Sequence, residues 1–291
     1  MTRAESFRRL CKNMLPWRLR LFIQEQAAMG NIRVPFLLKQ HGDKNAYHAS
    51  FLTMLKRCGI RDFQGKNVCE MGPGSFLDNA YTAYRLGASR IAMLDIEDLA
   101  DADLPYQPDE SDSLTEAGFS SLRELPLPDV GETRRSYLTK LNADYWTDGL
   151  EGYKKVPDGS MEYVFSNVVV QHIRKHIFLS TWEQVYRFMR PGGFMYHTID
   201  FKDMLGGKKN HLRFSDAAWE DESHYRMPMY TNRIQFSEMC ALFKQIGFSV
   251  VKAEKSYFKE TPCQRTRLAK EFENISDEDL MTEGAWIVLK K

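Results

Sequence analysis

Between residues 66 and 98 the chain reads KNVCEMGPGSFLDNAYTAYRLGASRIAMLDIED. An apolar run meets a glycine turn, a segment with helical spacing follows, and a second apolar run ends on an acid. This pattern predicts strand, turn, helix and strand. Upstream, AYHASFLTMLKRCG at 46–59 has helical spacing and ends on Gly59 in the manner of a helix C-terminus. Downstream, RRSYLTKLNAD at 134–144 reads as a strand, and PDGSMEYVFSNVVVQHI at 157–173 reads as a turn and a buried strand rich in β-branched residues. A helix through FLSTWEQVYRFMR is expected to stop at Pro191, Gly192 and Gly193, with a strand FMYHTID after it. SEMCALFKQIG then predicts a helix, FSVVKAEKSYF a strand, and AWIVLKK a last apolar strand. Strands alternating with helices imply a parallel sheet covered by helices on both faces.

Two stretches break the alternation. Residues 99–131 are rich in Asp, Glu and Pro, with Arg123 the only basic side chain, and read as a surface insertion. Residues 201–235 lose periodicity and are dense in Lys, His, Arg, Asn, Trp and Tyr. So long an irregular segment inside a domain points to a lid or binding loop.

Composition removes several classes of function. With 43% hydrophobic residues, 291 residues can bury a substantial core. Forty basic against thirty-nine acidic side chains leave a net charge of +1, which disfavours nucleic acid as a partner. The five cysteines are scattered and never spaced as C-x-x-C, so neither a disulfide framework nor a zinc knuckle is expected, and no metal site is called. The cysteines read as reduced and intracellular, and no apolar run is long enough to span a bilayer, so a cytoplasmic protein, at most attached to a surface, is expected. Residues 1–43 form a basic, amphipathic extension interrupted by Pro16. Arg3, Arg8, Arg9, Lys12, Arg18 and Arg20 stand against Glu5 and Glu25, interleaved with apolar residues including Phe7, Trp17 and Phe22. Such a segment packs on its own domain or a second subunit, or lies on the inner face of an anionic membrane.

Candidate chemistry centres on the glycine turn. In an open parallel sheet, ligands bind beyond the carboxyl ends of the strands. The first strand delivers Glu70 and Met71-Gly72-Pro73-Gly74 to that edge, and the second delivers Asp95. A dinucleotide fingerprint would need a third glycine where Leu77 stands, and Glu70 would repel a pyrophosphate. A ligand with a cationic amine, a carboxylate and a ribose fits better. Glu70 then faces the amine and Asp95 takes the ribose hydroxyls.

These residues resemble the first motif, and the acidic strand end after it, of class I S-adenosylmethionine-dependent methyltransferases. The resemblance runs through LNAD, DGSMEYVFSNVVVQHI and RFMRPGGFMYHTID and covers roughly residues 44–200. It implies a Rossmann-like, doubly wound α/β fold with a mostly parallel seven-stranded sheet. It also implies S-adenosyl-L-methionine as cofactor and a methyltransferase domain over residues 44–291; the irregular segment 201–235, a departure from the family's pattern, is expected to be a substrate cap. Ala143 and Asp144 would flank the adenine, and Asn167 would join Glu70, Gly72, Gly74 and Asp95 around the cofactor. The later segments are similar, more loosely, to methyltransferases of bacterial polysaccharide gene clusters.

His172 and Asp200 stand where a methyl acceptor would sit, so each is a candidate base. Asp203, His211, Arg213, Asn232 and Arg233 are candidates for holding the acceptor. The expected reaction is O-methylation of a small molecule or glycan. Methylation of RNA or protein, and a non-catalytic cofactor-binding subunit, are the alternatives. An oligomer is compatible with every reading.

Overall fold

A computed structural model describes residues 44–100, 102, 113–120, 122–204, 206–225 and 230–291. The basic extension at 1–43, with its packing or membrane role, lies outside the described residues. So do residues 101, 103–112 and 121 of the acidic insertion.

The first described helix, α1 (Lys44–Arg57), carries Phe51, Met54 and Leu55 inward. Gly59 follows at φ +66°, a conformation only glycine adopts without strain. Strand β1 (Asn67–Met71) leads through the glycine turn to α2 (Asp78–Arg85) and then to β2 (Arg90–Leu94). The expected strand over RRSYLTK is instead a helix, α3 (Arg134–Lys140), and only Ala143–Trp146 forms β3. Thr133 caps α3 by accepting from the Ser136 N–H at 3.2 Å, and Tyr137, Leu138 and Leu141 are buried, a helical spacing. Helix α4 (Leu150–Lys155) precedes β4 (Met161–Asn167). Helix α5 (Phe178–Phe188) gives way to β5 (Met189–Asp200), so Pro191, Gly192 and Gly193 lie inside the strand's span. The pairing with β4 is irregular there, stepping from Met161–Met189 to Tyr163–Phe194, which lets the chain admit them.

The strand order is β3-β2-β1-β4-β5-β7-β6, where β6 is Ser249–Tyr257 and β7 is Thr282–Lys290. Strands β1 to β5 pair in parallel, and β7 runs antiparallel between β5 and β6. This is a Rossmann-like, mostly parallel seven-stranded sheet. One core layer joins Phe51, Leu55, Val68, Ile91 and Tyr137; the other joins Cys69, Leu94, Val164, Trp182 and Phe243. Strand order reverses between β1 and β4, which opens a crevice at their carboxyl ends.

Segment 201–235 is packed rather than open. Its described residues form a 3₁₀ turn at Asn210–Arg213 and short helices at Asp216–Trp219 and Glu222–Tyr225. Trp219 is buried and donates from its indole to the Thr231 carbonyl at 2.7 Å. Helix α6 (Phe236–Ile246) follows and ends at Gly247, φ +116°.

Candidate cofactor and acceptor site

Parallel pairing brings the two acids together. Glu70 lies opposite Met93 on β2 and Phe165 on β4, and Asp95 follows β2 directly. Glu70 is 1% exposed. Its Oε1 accepts from the Tyr47 phenol at 2.6 Å and from Asn79 Nδ2 at 2.7 Å. Its Oε2 is buried without a hydrogen-bond partner among the described residues, and so is Asn79 Oδ1. Two buried acceptors on hydrogen-bonded neighbours are costly unless a donor reaches them. Burial pushes the Glu70 carboxyl up to about 7, against the lowering pull of its two donors.

Asp95 shapes the glycine turn. Its Oδ2 accepts from the Gly74 N–H at 2.9 Å and its Oδ1 from the Ile96 N–H at 2.8 Å. Each carboxylate oxygen keeps a second lone pair for a hydroxyl donor. Burial pushes this carboxyl up to about 6. Gly72 (φ +67°) is packed so closely that an added Cβ would lie 2.5 Å from Val169 Cγ2. At Gly74 (φ +64°) an added Cβ would meet nothing within 4 Å, so this side of the turn is open to a ligand. Ile96, immediately after Asp95, exposes 64% of its surface, an apolar face at the rim of the same edge.

On the other side of the crevice, Asn167 Oδ1 accepts from Ser50 Oγ at 2.9 Å and from Thr198 Oγ1 at 2.6 Å. His172 lies in the 3₁₀ turn Val170–His172 after β4. Burial holds its imidazole below the usual value, opposed by its bond to the Tyr230 carbonyl and by the charge of Asp200. Asp200 ends β5 and accepts from the Lys202 N–H at 2.8 Å. Burial raises its carboxyl.

Other expected residues stand elsewhere. Ala143 and Asp144 pair with Ile91 and Ala92, at the amino end of β3, and Asp144 bonds Arg90 at 2.9 Å. The carboxyl end of that strand is Trp146, opposite Leu94, so the expected adenine-flanking pair is placed at the wrong edge. Asp203 is 3% exposed and accepts from the N–H groups of Gly206 and Asn210 at 2.6 and 2.7 Å, which makes it a turn-builder. Arg233 donates to the His211 and Phe214 carbonyls and to Asp216, and its guanidinium lies over the Trp219 ring. His211 is buried against that arginine and against Lys209, and burial pushes it down to about 3. Asn232 is 1% exposed, and its side chain bonds backbone groups of Val170, Ile173 and Ile234. Arg213 is half-buried. The polar density of 201–235 therefore serves largely to hold the segment together.

Tyr47, Asn79, Ser50 and Ile96 were not anticipated. Asn79 had a faint signal, an amide in the first turn of the helix after the glycine turn. Tyr47 and Ser50 had none, because their partners lie 23 and 117 residues away.

Among the described residues no group of three or more His, Cys, Asp or Glu is placed to hold a metal ion, and no helix is long and apolar enough to cross a membrane.

No family model and no curated protein matches the sequence. Solved structures do. Phosphoethanolamine N-methyltransferase 2 of Haemonchus contortus, in complex with S-adenosyl-L-methionine, is 16% identical with a TM-score of 0.48, over 84% of this chain and 52% of that one. The chain thus spans about half the length of that enzyme. An S-adenosylmethionine-dependent methyltransferase of Mesorhizobium loti is 12% identical with a TM-score of 0.41, over 81% and 95%. The 1,6-didemethyltoxoflavin-N1-methyltransferase of Burkholderia thailandensis is 11% identical with a TM-score of 0.44, over 86% and 79%.

Proposed function

We propose that the protein is an S-adenosyl-L-methionine-dependent methyltransferase that methylates a hydroxyl of a small molecule or glycan. One observation carries the cofactor assignment. Glu70 Oε2 and Asn79 Oδ1 are two buried acceptors without donors among the described residues, close in the chain to the Gly72–Gly74 turn and one strand from Asp95. An ammonium group brings three N–H donors and a positive charge to such a place. Asp95 keeps lone pairs for ribose hydroxyls, and the exposed side chain of Ile96 suits the face of a purine. S-adenosylmethionine combines these parts.

Methyl transfer is an in-line displacement. The acceptor oxygen attacks the sulfonium methyl carbon, the carbon–sulfur bond breaks, and a neutral thioether leaves. Holding the reactants in line is the main task, with effective molarities of about 10⁵ to 10⁸ M available from alignment. A hydroxyl must also lose its proton, whereas a neutral amine attacks with its own lone pair. The neutral imidazole of His172, with Asp200 to stabilise its charged form, supports the hydroxyl reading. The segment 201–235 then acts as a folded wall of the acceptor site.

The test is release of S-adenosylhomocysteine from the purified chain across panels of hydroxyl and amine acceptors. Turnover with a hydroxyl compound is expected. Cofactor binding without turnover on any acceptor would favour a non-catalytic subunit, and turnover with amines alone would overturn O-methylation.

A further inference from the structure

We propose that Asn232 is a positioning residue that fixes both the place and the tautomer of His172; its catalytic meaning rests on the transfer reading above, its geometry does not. Asn232 reaches from segment 201–235 to the 3₁₀ turn that follows β4. Its backbone N–H donates to the Gln171 carbonyl at 2.7 Å. Its Nδ2 donates to the Val170 and Ile173 carbonyls, each at 2.9 Å. Its Oδ1 accepts from the Ile234 N–H at 3.1 Å, which decides which end of the amide faces the turn. Within the turn the Val170 carbonyl has only the long bond from the Ile173 N–H, at 3.4 Å, and the Asn232 amide adds a shorter one to it and a second to the Ile173 carbonyl just past the turn.

Two residues earlier, the Tyr230 carbonyl stands 2.8 Å from His172 Nδ1. A carbonyl oxygen can only accept, so Nδ1 carries the proton, and the neutral ring keeps its lone pair on Nε2. Tyr230 is itself pinned, because its phenol donates to Glu220 at 2.8 Å and accepts from the Lys175 N–H at 3.2 Å. The clasp therefore joins the loop after β4 to segment 201–235 and presents one defined nitrogen as the base. Asn232, expected from its polarity to touch the acceptor, acts instead through the histidine.

Nitrogen-15 NMR of the ligand-free full chain, with labelled histidine, reads this directly. The sequence has seven histidines, so His172→Gln identifies the signal by its disappearance. At pH 8 the wild-type ring should show Nδ1 as the protonated nitrogen and Nε2 as the bare one. Asn232→Ala, which removes all three side-chain bonds, should give exchange-averaged shifts at both nitrogens while the protein still melts cooperatively. Asn232→Asp, which keeps the bond to Ile234 but loses both donors, should do the same. A wild-type ring protonated on Nε2 overturns the proposal, whether or not either variant folds. Folded variants that retain the wild-type pair of shifts also overturn it. Neither cofactor nor acceptor is in the sample, so a failed transferase reading would leave the expected shifts intact, and the two failures are distinguishable.

Discussion

The phenol of Tyr47, 23 residues upstream on helix α1, donates to Glu70 Oε1 at 2.6 Å. Asn79 donates to the same oxygen, and the other oxygen, Oε2, is left a buried acceptor with no donor among the described residues. The bond favours the ionised carboxyl that a cationic ligand needs. Tyr47→Phe should therefore raise the Glu70 pKa beyond its present value of about 7. Titration calorimetry with S-adenosylmethionine should show weakened binding at pH 7 that largely recovers at pH 8.5. An equal loss at both values would mean that Tyr47 acts by packing alone.

Stability should carry the same signature. Burial raises the carboxyls of Glu70 and Asp95 to about 7 and about 6, so the folded chain binds these protons more tightly than the unfolded chain does. Their contribution is fully present below the ordinary carboxylate values, and it is lost as pH rises through about 6 and about 7. The ligand-free protein should lose more stability between pH 5 and pH 8 than its Glu70→Gln variant does. Identical slopes in urea denaturation would contradict a strained Glu70.

The two glycines of the turn should not be equivalent. Both have positive φ, so alanine at either costs about 1–2 kcal/mol. At Gly72 the contact with Val169 adds an overpacking cost of about 1–3 kcal/mol, whereas Gly74 has open space. Gly72→Ala should accordingly be the less stable variant in urea denaturation. Gly74→Ala should mainly weaken cofactor binding, and equal stability losses would argue against the packing described.

The base is tested by turnover on whichever hydroxyl acceptor supports it. His172→Gln should lower turnover by roughly 10² to 10⁴-fold with S-adenosylmethionine affinity unchanged. Asp200→Asn should cost less, because the carboxylate acts on the histidine's charge. The reverse order would make Asp200 the base.

What the sequence made legible follows its periodicity. Strands β1, β2 and β4 and the glycine turn have strong local patterns, and Glu70 and Asp95 followed from them. RRSYLTK misled because Tyr137 and Thr139 favour strands, yet Thr133 can cap a helix and Tyr137, Leu138 and Leu141 share its buried side. The error moved the edge of β3 and placed Ala143 and Asp144 at its wrong end. In segment 201–235, polarity suggested solvent and ligand, but Asp203 and Arg233 satisfy N–H groups and carbonyls within the packed segment, and Asn232 satisfies carbonyls of the turn after β4. Partners so far apart in sequence leave no local pattern to read.

The central claim is that S-adenosylmethionine binds between Glu70 and Asp95, and calorimetry of wild-type protein beside Asp95→Ala tests it most directly. Wild type should bind S-adenosylmethionine or S-adenosylhomocysteine. The variant, shown to be folded by its melting transition, should bind more weakly by about 1.5–3 kcal/mol, the range for hydrogen bonds to a charged group. No binding to the wild-type chain, or the same affinity in a folded Asp95→Ala, would contradict the account.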